Sequence, residues 1–179
     1  MGFARYFNVN VCRVRIVRKE ESKFMRFLAA CLWLTDKLGI TNIGDFYGYV
    51  TTIGYTIYGP KGWDMDMPVN RTLLHELTHV TQHHIHGLKY SLLYLLSSNK
   101  RAYYESVCVQ TEMMHSLTVC TPKAIEYRAQ KLVKYGCKYE RALSELKTRA
   151  IELEHQKPQR CSKEVINAYQ QMNESAQHN

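Results

Sequence analysis

The chain has 179 residues, 45% of them hydrophobic, which is enough for one well-buried domain and too few for two comfortable ones. Its formal net charge of +8 favours acidic partners, but no stretch approaches the roughly 20 apolar residues of a membrane span. The six cysteines form no CxxC pair and arginines interrupt the N-terminal apolar run, so we expect a reduced, cytoplasmic protein without a signal peptide.

The N-terminal third predicts strands around one helix. Apolar and polar residues alternate over residues 8–17, which indicates a β-strand. Apolar residues at helical spacing over residues 20–38 then predict a helix that stops at Gly39. Residues 47–58 are rich in Tyr, Thr, Ile and Val, and their glycines predict one strand with a bulge or a tight hairpin.

The most informative pattern is an HExxH element from His75 to His79 within an uncharged helical run. Residues four apart lie on one helix face, so both imidazoles can bind one Zn²⁺ ion. Glu76 falls beside that ion, where it can deprotonate a water molecule without becoming a ligand. In the preceding turn, Asp66 or Asn70 is expected to cap the helix. The pattern therefore predicts a zinc site equipped for hydrolysis, the alternative being a helix with two ordinary polar histidines.

Helices dominate the rest of the chain. The apolar run at residues 88–96 is expected either to pack under the site or to form an apolar loop. Helical patterns, broken at prolines and glycines, then cover four segments, at residues 101–119, 122–135, 138–155 and 162–172. We therefore expect a single α+β domain over residues 1–172, followed by a frayed polar tail at residues 173–179.

The HExxH helix resembles the active-site helix of the zincin metallopeptidases, in particular the glutamate-liganded branch, the gluzincins. The resemblance covers the helix around residues 72–86 and a second segment at about residues 100–114. The metzincin pattern is excluded because Gln82 and Ile85 occupy its glycine and histidine positions. The resemblance implies a small zincin-like domain whose third zinc ligand is a glutamate from a later helix. Small basic metallopeptidase-like proteins of bacteriophages and bacteria look similar, and a phage-encoded member would act in the host cytoplasm.

Two glutamates, Glu105 and Glu112, are available as the third ligand. They stand seven residues apart, about 10 Å along a helix axis, so at most one can reach the ion. We choose Glu105, which lies twenty-six residues after His79, because its tyrosine-rich flank resembles the glutamate helix of small gluzincin-like proteins. Glu112 and His115 are kept as fallback ligands or as partners of the ligands.

The sequence identifies the hydrogen-bond partners of the ligands and the oxyanion-stabilising residue less clearly. Thermolysin-like gluzincins often place an aspartate four residues after the ligand glutamate, but here that position is Val109. A backbone carbonyl, Glu112 or Asp64 must therefore orient the zinc-binding histidines. A tyrosine or histidine should also stabilise the tetrahedral oxyanion. Tyr103, Tyr104 and His115 are the candidates because they lie near Glu105 in the sequence.

These patterns predict a zinc-dependent peptidase that hydrolyses peptide bonds in a peptide or protein substrate, with Glu76 as general base on a zinc-activated water. The β segment at residues 47–58 precedes the HExxH helix, where zincins place the edge strand that pairs with substrate, so it is either that strand or a plain structural one. One alternative is a catalytically inactive zinc-binding module that engages nucleic acid or a protein partner through its basic surface. Another is a helical nucleic-acid-binding protein without metal, since basic residues concentrate at residues 13–19 and 123–149.

Overall fold

The predicted α+β class is confirmed. A computed structural model describes five stretches of the chain, at residues 4–9, 12–37, 46–63, 70–116 and 120–177. Within them, a small mixed sheet forms the N-terminal part and helices form nearly everything after it. Three of the residues considered above, Gly39, Asp64 and Asp66, lie outside the described residues.

The sheet has four strands within the described residues: β1 (Ala4–Val9), β2 (Cys12–Arg18), β3 (Thr51–Ile53) and β4 (Thr56–Gly59). Their order is β1-β2-β4-β3, with β2 parallel to β4 and the other two pairs antiparallel. The prediction of a single strand at residues 8–17 was wrong, because that segment covers the end of β1 and most of β2. The hairpin alternative for residues 47–58 is confirmed, with a turn at Gly54, where φ is +59°.

Seven α-helices lie within the described residues: α1 (Lys23–Lys37), α2 (Arg71–His86), α3 (Leu88–Leu96), α4 (Ser98–His115), α5 (Pro122–Val133), α6 (Tyr139–Glu154) and α7 (Arg160–Gln177). The apolar run at residues 88–96 is therefore a helix that packs on α2 and α4, not a loop. Helix α7 begins two residues before the predicted start and continues to Gln177, five residues beyond the predicted end. Among the described residues, no helix combines the length and apolarity needed to traverse a bilayer.

Two apolar clusters form the core. The first joins the sheet to α2 and α7 through buried side chains that include Ile16, Ile57, Leu77 and Val165. The second joins α4, α5 and α6 through side chains that include Val109, Met113, Ala129 and Leu146. Helices α2 and α4 belong to different clusters and pack against each other, so their contact joins the two halves of the core.

Polar side chains set the register of α2 against α4. Thr78 Oγ1 donates to Thr111 Oγ1 at 2.8 Å, and Gln82 Nε2 donates to the carbonyl of Tyr104 at 2.9 Å. All four residues are buried, so these bonds form away from water, where hydrogen bonds are stronger. These bonds hold the HExxH face of α2 towards α4.

Candidate metal centre

The HExxH histidines meet a glutamate of α4. His75 Nε2 lies 3.2 Å from Glu105 Oε2, and His79 Nε2 lies 3.4 Å from Glu105 Oε1. The two imidazole centroids are 5.0 Å apart, as expected for residues one helical turn apart on the same face. Two helices therefore bring three donor groups to one point.

Hydrogen bonds and opposite charges favour ionised partners in this cluster, against the effect of burial. The Glu105 side chain is 2% exposed and burial alone would raise its pKa, but the positive charge of His79 and a hydrogen bond from His75 hold that pKa well below its usual range. Burial opposes the charged form of His75 as well, yet its hydrogen bonds to Glu105 and Glu112 raise its pKa well above the usual range. The ionised Glu105 and the two imidazoles can bind a cation once His75 gives up its proton.

Access to the cluster is uneven. The side chain of His75 is 16% exposed, whereas that of His79 is 9% exposed. His75 is therefore the more exposed of the two histidines, and the side chain of Glu105, at 2%, is closed to solvent. A metal centre that keeps one position for water needs this kind of one-sided access.

Glu112 orients His75. Its Oε1 accepts a hydrogen bond from His75 Nδ1 at 2.8 Å, on the opposite ring edge from Glu105. Arg128 of α5 donates to both carboxylate oxygens of Glu112. Burial would raise the pKa of Glu112, but the hydrogen bond from His75 and the charge of Arg128 lower it. Of the predicted alternatives, Glu112 is thus the acceptor that orients His75. It contacts Nδ1, whereas Glu105 contacts Nε2, so Glu112 lies on the other side of the ring from the point where the two histidines meet Glu105.

Helix α3 supplies two tyrosines that the sequence did not identify as site residues. The Tyr90 hydroxyl lies 2.8 Å from His79 Nδ1, and the Tyr94 hydroxyl donates to Glu105 Oε1. Burial raises the pKa of both hydroxyls, and for Tyr94 the charge of Glu105 raises it further, so both stay protonated. Their four-residue spacing was visible in the sequence, but the apolar run around them did not reveal which face would turn inward.

A buried thiol stands beside the same histidines. His75, His79 and Cys108 present donor atoms that all lie within 4.8 Å of one another, a group that could hold a metal ion. Cys108 Sγ is 3.3 Å from His79 Nδ1 and 3.7 Å from His79 Nε2. Burial and the charge of Glu105 raise the pKa of the Cys108 thiol well above its usual range. Its position three residues after Glu105 on one helix face could have singled it out among the six cysteines.

Glu76 lies between the HExxH helix and the sheet. Thr52 of the edge strand β3 donates to Glu76 Oε2 at 2.6 Å. After burial, the charge of Glu76 is among the causes that raise the pKa of Tyr90 and Cys108. Glu76 is itself buried, and the bond from Thr52 fixes its orientation.

The predicted oxyanion residues face other neighbours. Tyr103 donates to Gln159 at 3.3 Å, and the ring of His115 packs against Tyr169 at 5.2 Å. Tyr104 is buried, and its ring centroid lies 4.7 Å from that of Tyr90. It therefore packs on Tyr90, whose hydroxyl in turn contacts His79. Within the described residues, the tyrosine hydroxyls that contact His79 and Glu105 are those of α3.

Comparisons with family models, with curated proteins and with solved structures find no match to this chain.

Proposed function

We propose that the chain is a zinc-dependent peptidase in which His75, His79 and Glu105 hold the ion. The spacing of the donor atoms carries this proposal. In a tetrahedral zinc site with bonds of about 2.1 Å, neighbouring ligand atoms lie about 3.4 Å apart. The distances from His75 Nε2 to Glu105 Oε2, 3.2 Å, and from His79 Nε2 to Glu105 Oε1, 3.4 Å, are close to that spacing.

Glu105 fits the third ligand position better than Cys108. A ligand of an ion bound to His79 Nε2 lies beyond Nε2, on the far side from the ring, and is therefore closer to Nε2 than to Nδ1. Cys108 Sγ has the opposite order, at 3.7 Å from Nε2 and 3.3 Å from Nδ1.

The residues around the site have distinct roles in hydrolysis. Zinc held there would supply Lewis-acid activation of a water molecule and of the peptide carbonyl. Glu76 takes a proton from the attacking water and passes it to the amine nitrogen as the C–N bond breaks. Thr52 keeps Glu76 in place, because its hydroxyl occupies one carboxylate oxygen and leaves the other for the proton.

The substrate class follows from the neighbouring strand. Strand β3 lies at one edge of the sheet and carries Thr52, the partner of Glu76. An extended peptide that added to the edge of β3 that no described strand occupies would place its backbone next to the carboxylate that handles the proton. This arrangement supports a peptide or protein substrate over a small molecule.

The buried thiol favours a second candidate function. If Cys108 turned to join the two histidines and Glu105, four protein ligands would close the site, and such sites are structural. The chain would then be a zinc-binding module without catalysis, engaging nucleic acid or a protein through basic residues such as the exposed Arg13 and Arg15 of β2.

The variant Glu76→Gln separates the two functions. It keeps the shape of the side chain but cannot take up a proton, so we expect wild-type zinc content and a turnover about 10²–10⁴-fold lower. Turnover is measured on a fluorescence-quenched peptide library, and zinc by elemental mass spectrometry. Glu126→Gln, at an exposed carboxylate of α5, is the matched control and should behave as wild type.

Two results would reject the peptidase. A Glu76→Gln protein that cleaves at the parental rate removes Glu76 from its role. A wild-type protein that binds zinc but cleaves no peptide, and whose cobalt-substituted form shows thiolate charge-transfer absorption, supports the closed structural site instead.

A further inference from the structure

Helix α3 has a second face that the metal centre does not use. Its inner face carries Tyr90 and Tyr94, which contact His79 and Glu105. Its outer face carries leucines that are exposed by more than half, namely Leu88 at 77%, Leu92 at 58%, Leu95 at 67% and Leu96 at 83%. Spacings of four, three and one place these leucines on one continuous stripe. An apolar stripe of this kind on a surface marks an interaction site.

The stripe is a ridge and not a groove. All four leucines, those in the middle as well as those at the ends, are more than half exposed, so their side chains project from the surface. A bound peptide needs a concave apolar surface, whereas a projecting ridge suits a medium that can deform around it. The shape therefore favours a lipid surface over a peptide segment.

The charged residues that neighbour the ridge in sequence have one sign. The chain contains no aspartate or glutamate from Leu77 to Tyr104, and exposed Lys89 and Lys100 stand near the two ends of α3. Lysines beside an apolar helix face are the pattern that binds anionic lipid headgroups. Nucleic acid would match the charge but not the leucines.

Arg101 holds the ridge in place. Its guanidinium donates to the carbonyls of Tyr94 and Leu95 at the end of α3, and to the carbonyl of Tyr135 beyond α5. A cation at a helix C-terminus stabilises that end of the helix. The leucines are thus presented by a helix that is fixed at its C-terminal end and packed on its inner face.

We propose that the outer face of α3 docks on an anionic phospholipid bilayer, with its leucines at the boundary between headgroups and acyl chains and Lys89 and Lys100 on the phosphates. The association is peripheral. It would place the metal centre about one helix diameter, roughly 10 Å, from the lipid surface. The proposal does not rest on peptidase activity, since it uses only the face of α3 that points away from the centre.

Co-sedimentation with phospholipid vesicles tests the docking. Wild-type protein should partition onto vesicles of phosphatidylcholine with phosphatidylglycerol, and much less onto phosphatidylcholine alone. Leu92→Gln/Leu95→Gln should reduce the partition coefficient on the order of a hundredfold, because two leucine side chains no longer leave water. Val133→Gln/Ile151→Gln replaces two exposed aliphatic residues on α5 and α6 and should bind as wild type.

The lysines provide an independent variant. Lys89→Gln/Lys100→Gln should reduce partition about 25-fold, as two headgroup contacts are lost, and added salt should weaken wild type in the same way. Zinc content equal to wild type in every variant shows that the fold is kept. Lipid binding can therefore fail while the metal centre stands, or the reverse.

Three results would overturn the proposal. The first is no partition of wild type onto anionic vesicles, and the second is equal partition of wild type, the leucine variant and the lysine variant. The third is a wild-type dimer in sedimentation velocity that the leucine substitutions dissociate, without any binding to vesicles. That last result would assign the ridge to a second copy of the chain.

Discussion

Each proposed ligand has a polar partner that fixes its orientation. Glu112 holds His75, Tyr90 lies against His79, and Tyr94 donates to Glu105. Partners of this kind select the tautomer and ring orientation that present Nε2 to the ion. The donor atoms are therefore arranged before any ion arrives, which lowers the cost of ordering them on binding.

Glu112→Gln tests that arrangement. The amide keeps a hydrogen bond to His75 but loses the charge that Arg128 and His75 share, so we expect zinc affinity to fall about 10–100-fold. The measurement is competition with a zinc chelator of known affinity, with Glu126→Gln as control. Unchanged affinity in Glu112→Gln would remove Glu112 from the support of the site.

At this scale, periodicity predicted part of the cluster. Four-residue spacing predicted that His75 and His79 share a face, and the structure brings Glu105 to them. Tyr94 and Cys108 were missed for different reasons. An apolar run gives no helical phase until its neighbours are known, and a lone cysteine in an apolar segment is typical of an ordinary core residue.

Helix α2 carries the HExxH element and begins at a side-chain cap. Asn70 Oδ1 accepts a hydrogen bond from the backbone N–H of Leu73 at 3.0 Å, two residues before His75. The helix ends at Gly87, whose φ of +59° suits glycine. Capping the first turn restrains the backbone that positions His75.

Asn70→Ala should lower the free energy of unfolding by about 1 kcal/mol, because an N–H of the first turn loses its acceptor. Urea unfolding followed by circular dichroism measures this. Asn99→Ala changes an exposed asparagine inside the first turn of α4 and should change stability little. Equal destabilisation by both substitutions would contradict a specific cap at Asn70.

The elements differ in how far local sequence defines them. Asn70 was one of two predicted caps, and its side chain forms the cap. Strands β1 and β2 were merged because alternation continues across a short connection as if it were one strand. The extent of α7 was underestimated because its polar last turns carry no apolar periodicity, while its first half packs on α2 and α4.

Across the whole molecule, the proposed site joins the two halves of the core. His75 and His79 belong to α2, which packs on the sheet, and Glu105 belongs to α4, which packs on α5 and α6. An ion held by all three would link the halves and stabilise the folded chain by mass action. The class of fold was predictable from patterns, but the parallel pairing of β2 with β4 was not, because it depends on contacts across forty residues.

Chelation should therefore lower the melting temperature. For zinc at about a hundredfold excess over its Kd, the expected difference between zinc-loaded and chelated wild type is about 5–10 °C. Differential scanning calorimetry measures it. His79→Ala should show no such difference, and a shift of equal size in that variant would place the stabilising ion elsewhere.

The most direct measurement is the zinc content of purified wild type, His79→Ala, Glu105→Gln and Cys108→Ala, by elemental mass spectrometry under chelator-free conditions. We predict one zinc per chain in wild type and Cys108→Ala, none in His79→Ala, and a large loss in Glu105→Gln. The proposed centre would be contradicted if wild type contained no zinc. It would also be contradicted if Cys108→Ala lost zinc while Glu105→Gln retained it.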